Sequence, residues 1–369
     1  MRRLACATAV LLLAACGGSA ARPDLQHQLD ALVAAGYAPG VTAYVDGPHG
    51  SWSGAAGFAN LATRERMRPD ARLRLQSVSK LWTATVVVAL AHEGRLRLDD
   101  TVERWLPGFF PGGSRITIRE LLDHTSGLID NNDLSARPGY WFGRIHDAKL
   151  RARLAALATK LGADPSYVFS DELEIRTAAA LPLLFPPGTS WHYSNIGYKL
   201  AAAIAERASG ETMAQLYRRI VVEPLHLESA AYDPAGGVRG EHPSAYAFQR
   251  GRWRPAGTEG TGALGAEGGI VADARDEARF LVALVRGELV PTRDLFRTSG
   301  ANASYALGTG VNETCAGRTY AHGGAGVAWK SQVAVSADGS RVAVLLWNGR
   351  DARHDDDYAA ALLRLFCAA

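Results

Sequence analysis

The sequence predicts an α+β fold, in which a sheet built from both ends of the chain carries an inserted, mostly helical lobe. Two observations support this prediction. Strand-like segments cluster near the two ends of the chain, and the segments between them have mostly helical periodicity. The chain has 369 residues, of which 47% are apolar and 21% charged, an ordinary globular composition with ample material for a core. This length suits one large domain or two lobes.

The N-terminal residues have the pattern of an export signal. Met1-Arg2-Arg3 is charged, and the apolar run after it, residues 4–15, is too short to span a bilayer. Because the run ends in small residues beside Cys16, it looks like a bacterial lipobox. Residues 1–15 are therefore predicted to be a lipoprotein signal peptide, with Cys16 lipidated, residues 16–23 a linker, and residues 24–369 the main folded domain. The alternative is a plain secretory signal that happens to be cleaved beside a cysteine.

These features predict a protein exported and lipid-anchored in the bacterial cell envelope, or in the alternative a secreted or periplasmic one. Cys6 leaves with the signal, so Cys315 and Cys367 remain as an even pair in an oxidising compartment, and we expect them to form a disulfide. The alternative is two unpaired, buried thiols. No C-x-x-C, H-x-x-H or H-E-x-x-H spacing occurs, so no metal or other cofactor is predicted.

Net charge argues against a nucleic-acid partner. The formal charge is +3, and the sequence contains no run of Lys and Arg after the N-terminus. A monomer is expected.

The sheet lobe is predicted to comprise residues 24–75 and 262–369. Its first part begins with an amphipathic helix, residues 24–35, whose apolar side chains recur at helical spacing. Residues 40–45 and 51–59 are patterned as strands around a turn-rich connection. In the second part, a helix over 273–286 precedes strands over 318–322, 328–336 and 341–347. Asp338-Gly339 predicts a hairpin turn between the last two strands, and residues 356–366 predict a closing helix.

The helical lobe is predicted to comprise residues 76–261. An apolar run over residues 86–90 predicts a buried helix that Gly94 ends. Thr117 and Glu120 form a capping-box pattern, which predicts a helix start. Leucines at helical spacing predict a helix over 149–161, and further helices are predicted over 199–209, closed by Gly210, and over 211–222.

Ser77 and Lys80 form an S-x-x-K pattern at the start of the apolar helix, and no other S-x-x-K occurs in the chain. On a helix this spacing places the lysine one turn after the serine on the same face. A lysine held out of water has a lowered pKa and can take the proton of a serine hydroxyl. Free N–H groups at a helix start favour a developing oxyanion. The alternative is an exposed serine and lysine that share a helix face by chance.

Three further motifs follow in order: 122–128 (Leu-Asp-His-Thr-Ser-Gly-Leu), Tyr193-Ser194-Asn195 and His322-Gly323-Gly324. From about Gly40 to the end, the chain resembles the serine β-lactamase and D-alanyl-D-alanine carboxypeptidase superfamily, in its class C and esterase-like branch. Each motif is weak alone, but four in order are specific. The resemblance implies a β-lactamase/transpeptidase-like fold, with an antiparallel sheet flanked by helices, a helical lobe and a site in the cleft between them.

The resemblance also implies roles for individual residues. Ser77 would be the acylated nucleophile, Lys80 its base partner, and Tyr193 a phenol or phenolate that assists proton transfer. Which of Lys80 and Tyr193 takes the first proton is left open. Asn195 would hold the substrate amide and the Lys80 ammonium, and the N–H groups of Ser77 and Ala325 would form the oxyanion hole. His322, Gly323 and Gly324 would bind substrate on the edge strand. His124 is interpreted as structural.

The third motif departs from the family's K-T-G, because Gly323 has no hydroxyl for a substrate carboxylate and His322 replaces a lysine. Lys330 or Arg318 could supply the missing charge. The long segment 129–184 is a second departure, expected to reshape the cleft.

The prediction is an exported serine hydrolase that forms an acyl-Ser77 intermediate on an ester or amide, of the esterase, D-alanyl-D-alanine carboxypeptidase or β-lactamase type. Its partners would be a small-molecule or peptidoglycan-like substrate, and the membrane through Cys16. One alternative is a penicillin-binding sensor that deacylates slowly, which a persistent acyl adduct would reveal. Another is a non-catalytic envelope binding protein, against which the three intact catalytic side chains argue.

Overall fold

The computed structural model describes residues 22–108, 112–136, 171–234, 240–256 and 265–369, with the isolated positions 148, 149, 152 and 238. The predicted signal peptide, Cys16 and most of the linker lie outside the described residues, as does most of the helix predicted over 149–161. Within the described part, no helix has both the length and the apolar character needed to cross a bilayer.

A seven-stranded sheet contains strands from both ends of the chain. The strands are β1 (Gly40–Asp46), β2 (Trp52–Asn60), β3 (Glu65–Arg66), β9 (Gly310–Thr314), β10 (Gly317–Ala325), β11 (Lys330–Ser336) and β12 (Val342–Trp347). Their order is β3-β2-β1-β12-β11-β10-β9, and neighbouring strands are antiparallel. This confirms the predicted α+β class with an antiparallel sheet.

The sheet joins the two ends of the sequence at its centre, where β1 pairs with β12 from Val41 opposite Trp347 to Asp46 opposite Val342. Strand β12 is apolar throughout because both of its faces are buried. Its alternate residues Ala343, Leu345 and Trp347 pack with helices α1 (Pro23–Ala34) and α12 (Asp355–Ala368). The residues between them pack into the larger core, which includes α10 (Ala274–Val285).

The helical lobe is organised around α2 (Ser79–His92), which is buried from Ser79 to Leu90. A helix that is apolar on all sides is stable only inside a core, which explains the unbroken apolar run. The helix ends as predicted, since Gly94 adopts a φ of +71° and its N–H donates to the carbonyl of Ala91.

Shorter elements surround this helix. The helices are α3 (Val102–Trp105), α4 (Ile118–Leu122), α5 (Asn131–Ala136), α6 (Asp171–Ala179), α7 (Asn195–Ser209), α8 (Met213–Tyr217), α9 (Glu223–Leu225) and α11 (Thr292–Leu295). Two small sheets have the orders β4-β8-β5 and β13-β6-β7, formed by β4 (Leu73–Arg74), β5 (Ala231–Tyr232), β6 (Tyr246–Gln249), β7 (Arg252–Pro255), β8 (Ile270–Ala272) and β13 (Gly349–Arg350).

Two helices differ from the sequence prediction, and capping explains both. Helix α7 begins at Asn195, four residues before the predicted start, because the Ser194 hydroxyl caps it by accepting the N–H of Gly197. The segment predicted as one helix over 211–222 begins at Met213, after a capping box of Thr212 and Gln215, and continues as a π turn over Arg218–Val222.

Candidate active site

Ser77 lies in a short 3-10 turn, Gln76–Val78, that leads directly into α2. The turn is attached to β8, because the N–H of Leu75 donates to the carbonyl of Ile270 and the N–H of Ile270 donates to the Ser79 hydroxyl. Gln76 adopts a φ of +54°, a region that non-glycine residues rarely occupy. Ser77 is therefore presented at the end of a buried helix on a constrained backbone.

The Lys80 amine is completely buried and has three acceptors around it. Nζ lies 3.1 Å from Ser77 Oγ, 2.6 Å from Asn195 Oδ1 and 3.1 Å from the Glu267 carbonyl oxygen. The spacing predicted from S-x-x-K thus brings the serine and the lysine into hydrogen-bond contact.

Burial lowers the pKa of Lys80 to about 7, because the charged form loses its hydration. The negative charges of Glu267 and Asp130 act against this shift, and the positive charge of Lys199 adds to it. At neutral pH, a substantial fraction of Lys80 is therefore a neutral amine with a lone pair directed toward the Ser77 hydroxyl.

The Tyr193 hydroxyl is also hydrogen-bonded to Ser77. Its ring is 4.9 Å from Lys80 Nζ, measured to the ring centroid, and packs 4.3 Å from the His124 ring. Burial raises the pKa of Tyr193 above its usual range, more than the bond to Ser77 lowers it. Tyr193 is therefore a neutral phenol at pH 7.

Asn195, the first residue of α7, holds Lys80 from the other side. Its Oδ1 accepts from Lys80, and its Nδ2 donates to Asn131 Oδ1 at 3.0 Å and, more distantly, to Asp130 Oδ2 at 3.4 Å. The Asp130 carboxylate also accepts the backbone N–H of Asn195 at 2.7 Å. Both ends of the Asn195 carboxamide are thus engaged within the protein.

His322 lies on β10 near Tyr193, with their ring centroids 6.4 Å apart. Its Nδ1 donates to the Gly323 carbonyl at 2.8 Å, so Nε2 carries no proton and accepts from the Tyr305 hydroxyl at 3.0 Å. Burial, reinforced by the charge of Lys80, lowers the pKa of His322 far enough to keep the ring neutral at pH 7.

Gly324 marks the point where β10 meets the turn that carries Ser77. A Cβ added at Gly324 would lie 2.2 Å from the Leu75 carbonyl oxygen and 2.3 Å from Ser331 Oγ, both closer than any real contact. The Ser331 hydroxyl donates to the same carbonyl at 2.6 Å. This close approach brings Ala325, the next residue on β10, to the end of the strand nearest the nucleophile turn.

The space beside Gly323 is occupied by the carboxamide of Gln332, its partner on β11. Neither of the proposed alternative cations lies free beside it. Lys330 Nζ is 3.9 Å from Asp355 Oδ1 and lies over the Tyr358 ring, and Arg318 pairs with Glu313 at 3.7 Å. An amide, rather than a charge, therefore fills this position.

Two histidines near the motifs have structural contacts. His124 is buried at a φ of +63°, and its Nδ1 accepts the N–H of Ser194, which agrees with its structural interpretation. His192 Nε2 lies 2.7 Å from Asp133 Oδ2. Across the part of the chain that the structure describes, no group of three or more His, Cys, Asp or Glu side chains could hold a metal ion.

Several residues at this site were not found from the sequence: Asp130, Asn131, Glu174, Lys199, Glu267, Tyr305 and Gln332. One of them left a signal that could have been used. Lys199 is four residues after Asn195, and a lysine on the same face of a predicted amphipathic helix as a motif residue indicates burial with a partner.

Comparison with known proteins identifies the family to which the chain belongs. A family model described as Beta-lactamase matches residues 25–368. Esterase EstB of Burkholderia gladioli is 35% identical over 187 residues, which are 48% of this chain and 43% of the esterase. A D-aminopeptidase of Brucella anthropi is 28% identical over 309 residues, covering 79% of this chain and 52% of the aminopeptidase. The chain thus spans about half the length of these relatives.

Among solved structures, a D-stereospecific amidohydrolase from Streptomyces sp. superposes with a TM-score of 0.75 and 26% identity, covering 94% of this chain and 99% of that one. The fold, the ordered motifs and the match over nearly the whole described chain lead to one conclusion. The chain belongs to the beta-lactamase family of serine hydrolases.

Proposed function

We propose that the chain is a serine hydrolase that forms a covalent acyl-enzyme at Ser77 and acts on an ester or amide. The observation that carries this proposal is the 3.1 Å contact between Lys80 Nζ and Ser77 Oγ, made by an amine whose pKa is about 7. Because Tyr193 stays a protonated phenol at this pH, Lys80 is the group that takes the first proton.

In net terms, acylation transfers one proton from Ser77 to the leaving group and exchanges one bond at the carbonyl carbon. Ser77 Oγ bonds to the substrate carbonyl carbon as its proton passes to Lys80, and the N–H groups of Ser77 and Ala325 hold the resulting oxyanion. Tyr193 then gives its proton to the leaving oxygen or nitrogen, the bond to that atom breaks, and the Lys80 ammonium restores the proton of Tyr193. Water attacks the acyl carbon by the reverse route, which releases the acid and Ser77.

Asn195 acts mainly on Lys80 in this mechanism. Its oxygen accepts from the amine and its nitrogen is held by Asn131, so its contribution to substrate binding is secondary to placing the base.

The third motif favours substrates without a free carboxylate at this position. His322 is neutral, Gly323 carries no hydroxyl, and the Gln332 carboxamide occupies the adjacent space. Relatives named as an esterase, a D-aminopeptidase and a D-stereospecific amidohydrolase support a proposed substrate class that includes both esters and amides.

Labelling with a fluorophosphonate probe tests the nucleophile, because only an activated serine forms the adduct. The wild type should be labelled at Ser77, Ser77→Ala should lose the label, and the exposed control Ser340→Ala should keep it. Equal labelling of Ser77→Ala would overturn the assignment.

Substrate preference is tested by kcat/KM. Short-chain aryl esters should be hydrolysed more efficiently than nitrocefin or D-Ala-D-Ala peptides, since a site without a matching polar contact loses discrimination for the carboxylate. Replacing His322 by Lys and Gly323 by Thr should shift the ratio toward the carboxylate-bearing substrates, provided that Gln332 is also shortened to Ser to make room. More efficient turnover of nitrocefin than of any ester would contradict this specificity.

We also propose that the protein is exported and anchored to the bacterial cell envelope through lipidated Cys16. The lipobox-like sequence supports this, as does the disulfide between Cys315 and Cys367, since disulfides persist in oxidising compartments. Palmitate incorporated in cells by the wild type but not by Cys16→Ser would support the anchor, and incorporation by neither would refute it.

A further inference from the structure

Behind the Lys80 amine lies a cluster of buried charged side chains that the mechanism does not use. Lys199 Nζ is 2.6 Å from Glu174 Oε2 and 3.2 Å from Glu267 Oε1. Their side chains are 2%, 7% and 4% exposed, in that order. Buried ion pairs add little net stability compared with apolar residues of similar size, so their presence beside a catalytic base calls for another explanation.

The cluster is connected to the base through hydrogen bonds and ion pairs that form a closed ring. From Lys80, the ring runs to Asn195 Oδ1, and from Asn195 Nδ2 to Asn131 Oδ1. Asn131 Nδ2 then donates to both oxygens of Glu174 at 3.3 Å. Glu174 pairs with Lys199, which pairs with Glu267, and the backbone carbonyl of Glu267 accepts from Lys80 at 3.1 Å.

The hydrogen-bonding chemistry of this ring fixes the orientation of the two side-chain carboxamides, those of Asn131 and Asn195. An ionised carboxylate can only accept hydrogen bonds, so Glu174 requires the nitrogen of Asn131 to face it. The oxygen of Asn131 must then face Asn195, which turns the nitrogen of Asn195 toward Asn131 and its oxygen toward Lys80. Asp130 supports the same orientation of Asn195 through its weaker contact at 3.4 Å.

The ammonium of Lys199 favours the ionised form of Glu174, which is the form that accepts hydrogen bonds from the Asn131 nitrogen. Burial raises the pKa of Glu174, and the adjacent ammonium of Lys199 acts against that shift. Lys199 reaches this place because it is one helical turn after Asn195 on α7 and shares its face.

We propose that Glu174 and Lys199 are positioning residues, which orient Asn131 and Asn195 so that the Asn195 oxygen, and not its nitrogen, meets the Lys80 amine. The inference rests on the proposed acylation of Ser77. If the Asn195 nitrogen faced Lys80, the N–H groups of the amide and of the amine would face each other. The amine would then lose the acceptor that directs its lone pair toward Ser77.

The test uses the second-order rate of fluorophosphonate labelling at Ser77, measured from pH 5 to 9 on folded protein. In Glu174→Gln, the amide can donate as well as accept, so the orientation becomes degenerate, and the plateau rate should fall about tenfold through misplacement of the base. The same change leaves the positive charge of Lys199 less compensated, and because that charge lowers the pKa of Lys80, the midpoint of the rate profile should move to lower pH. The charged and titratable groups facing Lys80 are Glu267, Asp130, Lys199, Tyr193, Tyr198, His124 and His322.

Two further variants separate the effect of carboxamide orientation on the labelling rate from the effects of charge and of folding. Asn131→Ala breaks the ring at a half-buried, uncharged residue, so it should lower the plateau by a similar factor without moving the midpoint. Glu277→Gln is the matched control, because Glu277 is a buried carboxylate bonded to Trp82 outside the ring. It should match the wild type in both plateau and midpoint.

The outcomes distinguish this inference from the proposed function. A labelled wild type, with Glu174→Gln and Asn131→Ala both within twofold of it, would overturn the inference alone. A wild type that is not labelled at Ser77 would overturn the proposed function and the inference together. If Glu174→Gln does not fold, the plateau of Asn131→Ala decides.

Discussion

Lys80 and Tyr193 share the hydroxyl of Ser77, and burial acts on their pKa values in opposite directions. It lowers that of Lys80 to about 7 and raises that of Tyr193, because in each case the charged form is disfavoured. Near pH 7 the phenol is therefore neutral and a substantial fraction of the amine is neutral, so the amine can accept a proton and the phenol can donate one.

We therefore expect kcat/KM for an aryl ester to fall as the pH decreases through about 7, because the Lys80 amine becomes protonated and loses its lone pair. The rate should reach a plateau above pH 8. Tyr193→Phe should keep the fall in kcat/KM at low pH and lower the plateau by roughly two to four decades, the usual range for loss of an acid–base group. A midpoint near the ordinary pKa of lysine, or a rate that does not fall at low pH, would contradict the assignment of Lys80 as the first base.

The local parts of this site could be predicted from the sequence. The S-x-x-K spacing placed Ser77 and Lys80 in contact, because one helical turn is a short-range property. The acceptors of Lys80 could not be predicted in the same way. The Glu267 carbonyl is 187 residues from Lys80 along the chain, and only the folded arrangement brings the two together.

Strand β10 shows how neighbouring glycines can have different roles within one element. At Gly324, added side-chain atoms would collide with the backbone of Leu75, which cannot move without shifting the Ser77 turn. At Gly323, the nearest atoms belong to the flexible end of Gln332, at 2.9 Å. The sequence identified both glycines as one motif but contained no information about which neighbour each one faces.

Gly324→Ala and Gly323→Ala form a matched pair that tests this difference. Gly324→Ala should reduce fluorophosphonate labelling by about a hundredfold, since separating β10 from the Ser77 turn misplaces the oxyanion donor. Gly323→Ala should remain within about threefold of the wild type, because the Gln332 side chain can rotate away. Equal effects of the two substitutions, measured on folded protein, would contradict the packing at β10.

The starts of the helices show a second limit on what the sequence predicts about an element. The capping box of Thr117 and Glu120 was predicted and is present, because both partners lie within one turn. Helix α7 begins four residues before the start that its periodicity predicts, because Ser194, which lies in the Tyr193-Ser194-Asn195 motif, also caps the helix. A residue that belongs to a sequence motif can also cap a helix, and the motif pattern alone does not indicate the capping role.

At the scale of the whole molecule, the sheet could be predicted because both ends of the sequence have strand patterning, and strands need neighbouring strands to pair with. The antiparallel arrangement followed from the family resemblance, and the fold confirms it. The strand order could not be predicted from periodicity, which reports burial but not which strands are neighbours.

The disulfide between Cys315 and Cys367 ties the β9–β10 edge hairpin to the closing helix α12 across 52 residues of sequence. In the chain-entropy model, a loop of this length stabilises the fold by up to about 4 kcal/mol. A Cys315→Ala/Cys367→Ala variant should therefore lose stability toward denaturant, measured as a lower unfolding midpoint with an unchanged slope. A reducing agent should lower the wild-type midpoint to the same value and leave the variant unaffected.

Labelling of Ser77 should survive this loss. Strand β10 keeps its pairing with β11 from Thr319 opposite Ser336 to Ala325 opposite Lys330, so the end of the strand beside the nucleophile does not depend on the cross-link. Peptide mapping without reduction should recover the linked pair from protein produced in an oxidising compartment, where disulfides persist. Free thiols at both positions would show that the stability of this edge comes from strand pairing and helix packing alone.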